Sequence, residues 1–135
     1  MSIKNNPHNT PALLKAIVEG IERKKGLDII QIDLQPINHS EFDYFIICHG
    51  NSTTQVGAIA DSVEDTVFEL TGEKLFKKDG YVNKLWIALA FTHTVVHIFQ
   101  HDTRYFYDLE HLWADAKIKK ITTDEKKTNS NEQSR

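Results

Sequence analysis

Cysteine is nearly absent from this chain: among 135 residues only Cys48 carries a thiol. A single thiol cannot form an internal disulfide, which excludes the class of small secreted domains that disulfides hold together. Cys48 lies within an apolar run, where burial makes a thiol a poor nucleophile. We therefore expect a reduced core cysteine in a protein of the reducing cytoplasm.

Long apolar runs are missing as well. No stretch approaches the roughly 20 consecutive apolar residues that a membrane-spanning helix needs. Residues 1–9 have neither the apolar core of a secretory signal nor the arginine content of a transit peptide. The sequence therefore predicts a soluble protein with no membrane contact.

Acidic residues do not occur in two strand-like segments, 85–91 and 94–99. Two-metal phosphoryl transfer needs carboxylates to hold its cations, so their absence argues against that chemistry. Gly50-Asn51-Ser52 separates an apparent strand from an apparent helix, and free N–H groups in such a turn can bind an anion. A nucleotidyltransferase-like enzyme using Gly50-Asn51-Ser52 is the alternative function, although a simple helix cap is favoured.

Histidines recur four residues apart at His93, His97 and His101, a spacing that would align metal ligands on a helix. Segment 94–99 is rich in β-branched residues and predicts a strand, in which four residues span about 13 Å. That separation is too large for one ion with ligands about 2 Å away. We predict no metal site, no catalytic residue and no cofactor. Hydrogen-bonded or solvent-facing histidines are the default expectation, with His97 as a candidate pH-sensitive surface group.

Charge is unevenly distributed along the chain. Residues 1–116 contain 10 Lys or Arg against 16 Asp or Glu, a net charge of −6, whereas residues 117–135 carry +3. An acidic body is a poor sole binder of a phosphate backbone. It suits a basic protein partner, because opposite fields accelerate encounter.

Apolar periodicity predicts one α/β sandwich domain with a mixed sheet, in the order α-β-β-α-β-β-β-α. We place a flexible lead at 1–9, the domain at 10–116 and a disordered, lysine-rich tail at 117–135. The first predicted elements are a helix at 11–25 capped by Thr10, a strand at 27–34 and a central strand at 42–48. A second helix runs from a cap at Asn51 or Ser52 to Gly72, and its apolar stripe consists of Val56, Ile59, Ala60, Val63, Val67 and Leu70. A short strand at 75–78, a turn or loop at 77–80, and strands at 85–91 and 94–99 joined by a Thr92-His93 turn follow.

Strand 85–91 separates large from small side chains. Its alternation places Leu85, Ile87, Leu89 and Phe91 in the core and leaves Trp86, Ala88 and Ala90 as a shallow apolar surface with one protruding ring. A helix capped by Asp102 or Thr103 follows. We expect it to bury Phe106, Leu109 and Leu112-Trp113, and to turn outward Arg104, Tyr107, Asp108, Glu110 and His111.

Two segments together resemble the ribosomal silencing factor (Iojap) family. The first is Asp43-Tyr-Phe-Ile-Ile-Cys-His-Gly-Asn-Ser52, continued by Gln55-Val56 and Ile59-Ala-Asp61. The second is Val95-Val-His-Ile-Phe99 followed by Arg104-Tyr-Phe-Tyr-Asp-Leu-Glu-His-Leu-Trp113. The resemblance covers residues 11–117 and implies a fold similar to nucleotidyltransferases without their catalytic acids.

The resemblance also implies a non-enzymatic role. Such a protein binds ribosomal protein uL-fourteen on the large subunit, blocks joining with the small subunit and so restrains translation when nutrients are short. Trp86 and Tyr107 match family positions that contact this partner, and Arg104, Asp108 and Glu110 lie in the same motif. Ala90, Thr92 and His93 depart from the family's acid, glycine and acid, which removes two carboxylates near the surface.

Three further expectations remain open. A ribosome assembly factor guarding the same surface would make an identical contact, so the sequence cannot separate it from a repressor. A homodimer through the exposed sheet face is compatible with the pattern. The tail at 117–135 is expected to touch ribosomal RNA electrostatically.

Overall fold

A six-stranded mixed sheet forms the centre of the protein, with its strands in the order β3-β4-β5-β2-β1-β6. The computed structural model describes residues 9–37, 40–113 and 115–121. In chain order the elements are α1 Thr10–Arg23, β1 Leu27–Asp33, β2 Tyr44–Gly50, α2 Thr53–Thr71, β3 Lys77–Asp79, β4 Trp86–Phe91, β5 Thr94–Gln100, α3 His101–Tyr107, α4 Leu109–Leu112 and β6 Lys117–Lys120. The predicted α/β sandwich and its order are confirmed, and α4 and β6 extend it.

The only parallel pair in the described sheet is β2 with β5, in a register from Tyr44 opposite Thr94 to Gly50 opposite Gln100. All other described pairs are antiparallel. The placement of β2 between β5 and β1 explains its apolar sequence, because a central strand is covered on both faces. The predicted central strand is therefore confirmed. Within the described residues, no helix is long and apolar enough to cross a membrane.

Helices α1 and α2 cover one face of the sheet. Their apolar stripes meet buried residues of β1, β2, β4 and β5 in the main core, which contains Ile17, Ile21, Ile46, Val63, Ile87 and Val96 among others. The two helices approach closely at Gly20, where an added Cβ would lie 2.7 Å from the Cα of Val63. The Ser62 hydroxyl donates to the Gly20 carbonyl over 2.8 Å at the same crossing.

The helix ends agree only partly with the sequence. Ser52 caps α2 by accepting from the Gln55 N–H, and Gly72 ends it with φ of +77°, as predicted. Asn9, not Thr10, caps α1, because its side-chain oxygen reaches the Ala12 N–H over 3.2 Å. The stripe of α2 stops at Val67, and Leu70 is exposed.

Three features of the chain's edges differ from expectation. The short strand predicted at 75–78 begins two residues later, as β3 at Lys77–Asp79, and the turn predicted from Lys77 is wrong, because these residues pair with Ala88 to Ala90 of β4. Lys117–Lys120 is strand β6 paired with β1, so predicted disorder is wrong for these residues. The lead at 1–8 and the rest of the tail at 122–135 lie outside the described residues. Leu85 precedes β4 and is exposed, whereas Ile87, Leu89 and Phe91 are buried as predicted.

A two-residue turn at Thr92-His93 joins β4 to β5, as predicted. No glycine is needed at Thr92, because the positive φ of +61° falls on His93. The Thr92 N–H is bound by the Glu73 carboxylate over 3.2 Å, which ties the hairpin to the end of α2.

Candidate functional site

Trp86 and Tyr107 lie side by side on the face of the sheet opposite α1 and α2. Their ring centroids are 4.9 Å apart with the planes tilted by 48°. Trp86 is half-buried and Tyr107 keeps 48% of its surface exposed. The alternation of β4 gives Ala88 and Ala90 the same intermediate exposure as Trp86, so these four residues form one shallow apolar surface, called the docking surface below.

Trp86 is held from beneath by two residues of β5. Its ring stacks on Phe99 at 4.8 Å, and its Nε1–H donates to His97 Nδ1 over 3.0 Å. His97 is 8% exposed, so the expected pH-sensitive surface group is wrong. Burial lowers the pKa of His97 to about 4, because the low-dielectric interior disfavours the imidazolium.

The helix predicted after β5 is broken into α3 and α4. Asp108 adopts φ of +51° and ψ of +54°, a left-handed conformation that ends α3 and starts α4. Aspartate tolerates this region better than most residues. The cap of α3 is Gln100, whose side-chain oxygen accepts from the N–H groups of Asp102 and Thr103. The prediction that Asp102 or Thr103 is the cap is therefore wrong.

This break changes which side chains of the segment are buried. Leu109 is buried as predicted, and Trp113 is half-buried with its ring 5.6 Å from Phe45. Phe106 and Leu112 are instead 80% and 72% exposed, so their prediction as core residues is wrong. The exposed Phe106 ring meets the Tyr107 ring edge-on at 5.1 Å, which enlarges the apolar area beside the docking surface.

Arg104 is buried, at 3% exposure, and its predicted outward orientation is wrong. Its guanidinium contacts His49 Nδ1 at 2.9 Å, the Leu27 carbonyl at 3.4 Å and the Glu110 carboxylate at 3.1 Å. These contacts join α3 to β2, β1 and α4. Burial, with the Arg104 charge, lowers the pKa of His49 to about 4, so His49 is neutral and accepts from the guanidinium.

The two acids of the motif occupy different settings. The Glu110 side chain is 27% exposed and is bound by Arg104 across the bend. The Asp108 side chain is 44% exposed and pairs with His111, which raises the pKa of His111. Of the proposed residues between 104 and 110, Tyr107 and Asp108 are thus the most exposed. The assignment of all five proposed residues to a partner stays a prediction.

Lys77 and Asp79 of β3 bring opposite charges to the rim of the docking surface. They pair with Ala90 and Ala88 respectively, so their side chains point to the same face as Trp86. Their charged groups are 3.9 Å apart and both side chains are 70% exposed. Lys77 therefore stands opposite Ala90 and Asp79 opposite Ala88 at the open side of the docking surface.

The turn at Gly50-Asn51-Ser52 uses its polar groups internally. The Asn51 N–H donates to Gln55 Oε1 over 2.8 Å, and Ser52 Oγ accepts from the Gln55 N–H. Gln55 Nε2 donates in turn to the carbonyls of Lys24 and Lys25 at the end of α1. The Gln55 side chain occupies the space above Gly50, 3.1 Å from where a Cβ would stand. The arrangement fits a helix cap better than a nucleotide site.

Cys48 and the spaced histidines show no arrangement of a reactive centre. Cys48 is fully buried as predicted, and burial raises the pKa of its thiol to about 12. His97 lies in a strand as predicted, between the exposed His93 at a turn and His101 at the start of α3. Across residues 9–37, 40–113 and 115–121 there is no group of three or more His, Cys, Asp or Glu able to hold a metal.

Sequence reasoning missed His97 as the hydrogen-bond acceptor of Trp86 and Arg104 as an internal link. The first had a usable signal, because β5 alternation puts His97 on the same face as Phe99, and Phe99 pairs with Trp86 across the hairpin. The second had none, since the partners of Arg104 come from sequence positions as distant as Leu27.

Comparisons with known proteins agree over most of the chain. The family model described as "Ribosomal silencing factor during starvation" matches residues 7–135. The ribosomal silencing factor RsfS of Bacillus subtilis is 37% identical over 110 residues, covering 82% of this chain and 92% of that protein. The RsfS of Haemophilus influenzae is 37% identical over 103 residues, covering 76% of this chain and 99% of that protein.

Solved structures give the same result. A crystal structure of a protein from Chromobacterium violaceum superposes with a TM-score of 0.71 at 31% identity, covering 76% of this chain and 83% of the other. A crystal structure of a protein from Bacillus halodurans superposes with a TM-score of 0.68 at 31% identity, covering 84% of this chain and all of the other. At this level of identity, sequence and fold point to one family.

Proposed function

The chain belongs to the ribosomal silencing factor family, and on that premise we propose that it represses translation by binding the large ribosomal subunit and sterically blocking its joining with the small subunit. The proposed partner is ribosomal protein uL-fourteen. The site of action is the cytoplasm, where ribosomes work. No chemical step is needed, because a bound domain excludes the second subunit by its volume alone.

The observation that carries this proposal is the shared exposure of Trp86 and Tyr107. Their ring centroids lie 4.9 Å apart on one face, and both match positions that the family resemblance assigns to the partner contact. Aromatic side chains are enriched among the residues that dominate binding energy at protein interfaces. The flanking alanines of β4 leave room for a partner to reach the Trp86 ring.

Charge supports a basic protein partner for this surface. Residues 1–116 carry a net charge of −6, and Asp79 and Asp108 expose carboxylates near the docking surface. Opposite charge steers association and fixes orientation more than it adds affinity. We expect the association rate to fall with added salt, while the apolar contact of the rings limits dissociation.

The enzyme alternative is less well supported. A nucleotide at Gly50-Asn51-Ser52 would have to displace Gln55, which already binds the Asn51 N–H and the end of α1. Calorimetry with ATP and magnesium tests it directly. Saturable binding at micromolar concentration that is lost in Ser52→Ala would favour an enzyme over the repressor.

Co-sedimentation with purified large subunits tests the proposal. Wild type should travel with the subunit, and Trp86→Ala and Tyr107→Ala should each weaken binding by about tenfold or more. Phe68→Ala is the matched control, because Phe68 is 52% exposed on α2, which covers the other face of the sheet. A wild-type protein that stays at the top of the gradient would refute the proposal.

Subunit joining needs its own assay, because an assembly factor would make the same contact. Light scattering follows the association of small and large subunits in the presence of the protein. We expect wild type to suppress the signal in proportion to occupancy, and Trp86→Ala to need a correspondingly higher concentration. Binding without any effect on joining would favour the assembly role.

A peripheral contact with ribosomal RNA is proposed for the basic end of the chain. Lys117, Lys119 and Lys120 are exposed on the edge strand β6. Clustered lysines bind phosphates with a strong dependence on salt. Replacing these three lysines with glutamine should reduce the slope of affinity against salt concentration, and an unchanged slope would exclude the contact.

A further inference from the structure

We propose that His97 is a positioning residue that turns Trp86 into a purely apolar anchor, so that the partner receives this ring in a pocket lined by carbon with no acceptor for the indole N–H. The inference rests on the proposed function, because it describes the chemistry of the partner at the same surface. The observation that supports it is the hydrogen bond from Trp86 Nε1 to His97 Nδ1, at 3.0 Å.

The indole Nε1–H is the one polar group of a tryptophan side chain, and it is a donor only. In an exposed tryptophan this N–H is commonly offered to a binding partner. Here it points inward to an acceptor that is itself 92% buried, since His97 keeps 8% exposure. A partner acceptor would have to compete with a bond that is already formed and shielded from water.

The protonation state of His97 keeps Nδ1 available as an acceptor at physiological pH. Accepting at Nδ1 requires that nitrogen to be unprotonated, so the neutral ring carries its proton on Nε2. Burial lowers the pKa of His97 to about 4, which keeps the ring neutral at physiological pH. Among the described residues, the buried Nε2 has no hydrogen-bond partner, so the bond from Trp86 is the one hydrogen bond of this side chain there.

Aromatic packing fixes the imidazole in the plane that suits Trp86. The Phe45 ring meets it edge-on at 4.6 Å and 82°, and the Phe99 ring lies 6.4 Å away at 24°. Phe99 also stacks on Trp86 at 4.8 Å. Acceptor and ring are thus held by the same neighbours, which reduces the entropy that Trp86 would lose on binding.

The two rings of the docking surface are then expected to make different contacts with the partner. Trp86 offers carbon atoms flanked by Ala88 and Ala90, so its pocket must be apolar. Tyr107 makes no hydrogen bond through its hydroxyl to any residue of the described chain, and it is 48% exposed. A hydrogen bond with the partner is therefore expected at Tyr107 and not at Trp86.

The hydrogen bond can be tested in the free protein by NMR. The indole proton of Trp86 should resonate downfield in wild type and in His97→Asn, whose amide oxygen stands near the position of Nδ1. It should move upfield in His97→Leu, with the indole proton of Trp113 as the internal reference. An unchanged Trp86 resonance in His97→Leu would overturn the assignment of His97, whatever the ribosome assay shows.

The partner's chemistry is tested by replacing the N–H without changing the ring. Benzothienylalanine at position 86 is an isostere of tryptophan with sulfur in place of the N–H group. In the His97→Leu background, where no buried acceptor is left unsatisfied, this exchange should change the affinity for large subunits by less than about threefold. A loss of about tenfold or more would show that the partner reads the indole N–H and would overturn the inference.

The outcomes separate the two proposals. If wild type does not bind large subunits, the proposed function fails, while the NMR result still decides the role of His97. If wild type binds, and benzothienylalanine at position 86 in the His97→Leu background lowers the affinity for large subunits about tenfold, the proposed function stands and the apolar pocket is excluded. If His97→Asn binds as wild type does and His97→Leu binds more weakly, with both folded by NMR, positioning by the acceptor is supported.

Discussion

The Arg104 guanidinium and the Glu110 carboxylate meet 3.1 Å apart across the bend at Asp108, so one partly buried ion pair links α3 to α4. Tyr107 is the last residue of α3, directly before that bend. The direction of its ring therefore depends on a contact that the ring itself does not make. Arg104 acts on the docking surface from inside, through the backbone that carries Tyr107.

Replacing Arg104 with lysine should destabilise the protein by about 3 kcal/mol, because a single ammonium cannot serve all three partners. His49, the Leu27 carbonyl and Glu110 would compete for it in a buried setting. Urea denaturation measures the change, with exposed Lys15→Arg as the control. A variant of wild-type stability that no longer binds large subunits would instead favour the direct partner contact that the family resemblance implies.

Stability should fall as the pH drops from 6.5 toward 4. The folded-state pKa of His97 is about 4, against about 6.5 in the unfolded chain, so the unfolded state binds more protons in this window. The stabilisation is complete above pH 6.5, and for His97 its loss amounts to about 3 kcal/mol by pH 4. His49 has the same sign, whereas the raised pKa of exposed His111 acts weakly in the opposite direction.

Urea denaturation at several pH values measures this dependence. His97→Asn removes one titrating group while keeping an acceptor for Trp86, so its stability should vary less between pH 6.5 and 4 than that of wild type. An identical slope in the two proteins would show that His97 is not held neutral by the fold.

The part of the site on β4 could be predicted from the sequence, because strand alternation has a fixed period of two. This alternation predicts that Trp86, Ala88 and Ala90 share one face and that Ile87 and Leu89 lie in the core, and the structure confirms both. Helical periodicity failed in α3 and α4 for a definite reason. The left-handed Asp108 separates α3 from α4, so Phe106 before it and Leu109 after it do not share the single stripe that one straight helix would give them.

Two other misses have a common cause. The sequence predicts an outward Arg104 and a disordered segment at 117–120, because charged residues usually face solvent and lower the tendency to fold. Arg104 is buried because three partners satisfy it, and β6 forms because an edge strand can carry lysines on its exposed side. Neither reason is visible without knowing which distant segments meet.

Glycine should stabilise the β4–β5 turn at one position and not at the next. His93 adopts φ of +61°, which costs a side chain about 1 kcal/mol that glycine avoids. His93→Gly should therefore raise the free energy of unfolding by about 0.5 kcal/mol after the added entropy of the unfolded chain. Thr92→Gly should lower it by a similar amount, because Thr92 is not among the residues with positive φ. Thermal unfolding compares the two, and the reverse order would contradict the turn geometry.

Gly80 and Gly72 allow strain in the backbone to be separated from contact with the docking strand. Both have positive φ, +98° and +77°, so alanine is strained at either position. At Gly72 a Cβ would meet nothing within 4 Å, whereas at Gly80 it would lie 2.1 Å from the Trp86 carbonyl oxygen. Gly72→Ala should cost about 1 kcal/mol of stability, and Gly80→Ala about 3 kcal/mol.

The two variants should also differ in binding. Gly80→Ala must push the start of β4 away from the loop that precedes it, which displaces Trp86 from Phe99 and His97. We expect weaker association with large subunits for Gly80→Ala and wild-type affinity for Gly72→Ala, measured where both are folded. Equal affinities would mean that the docking surface tolerates a shift of β4. Loss in Gly80→Ala alone would show that binding requires Trp86 to be held in place as well as exposed.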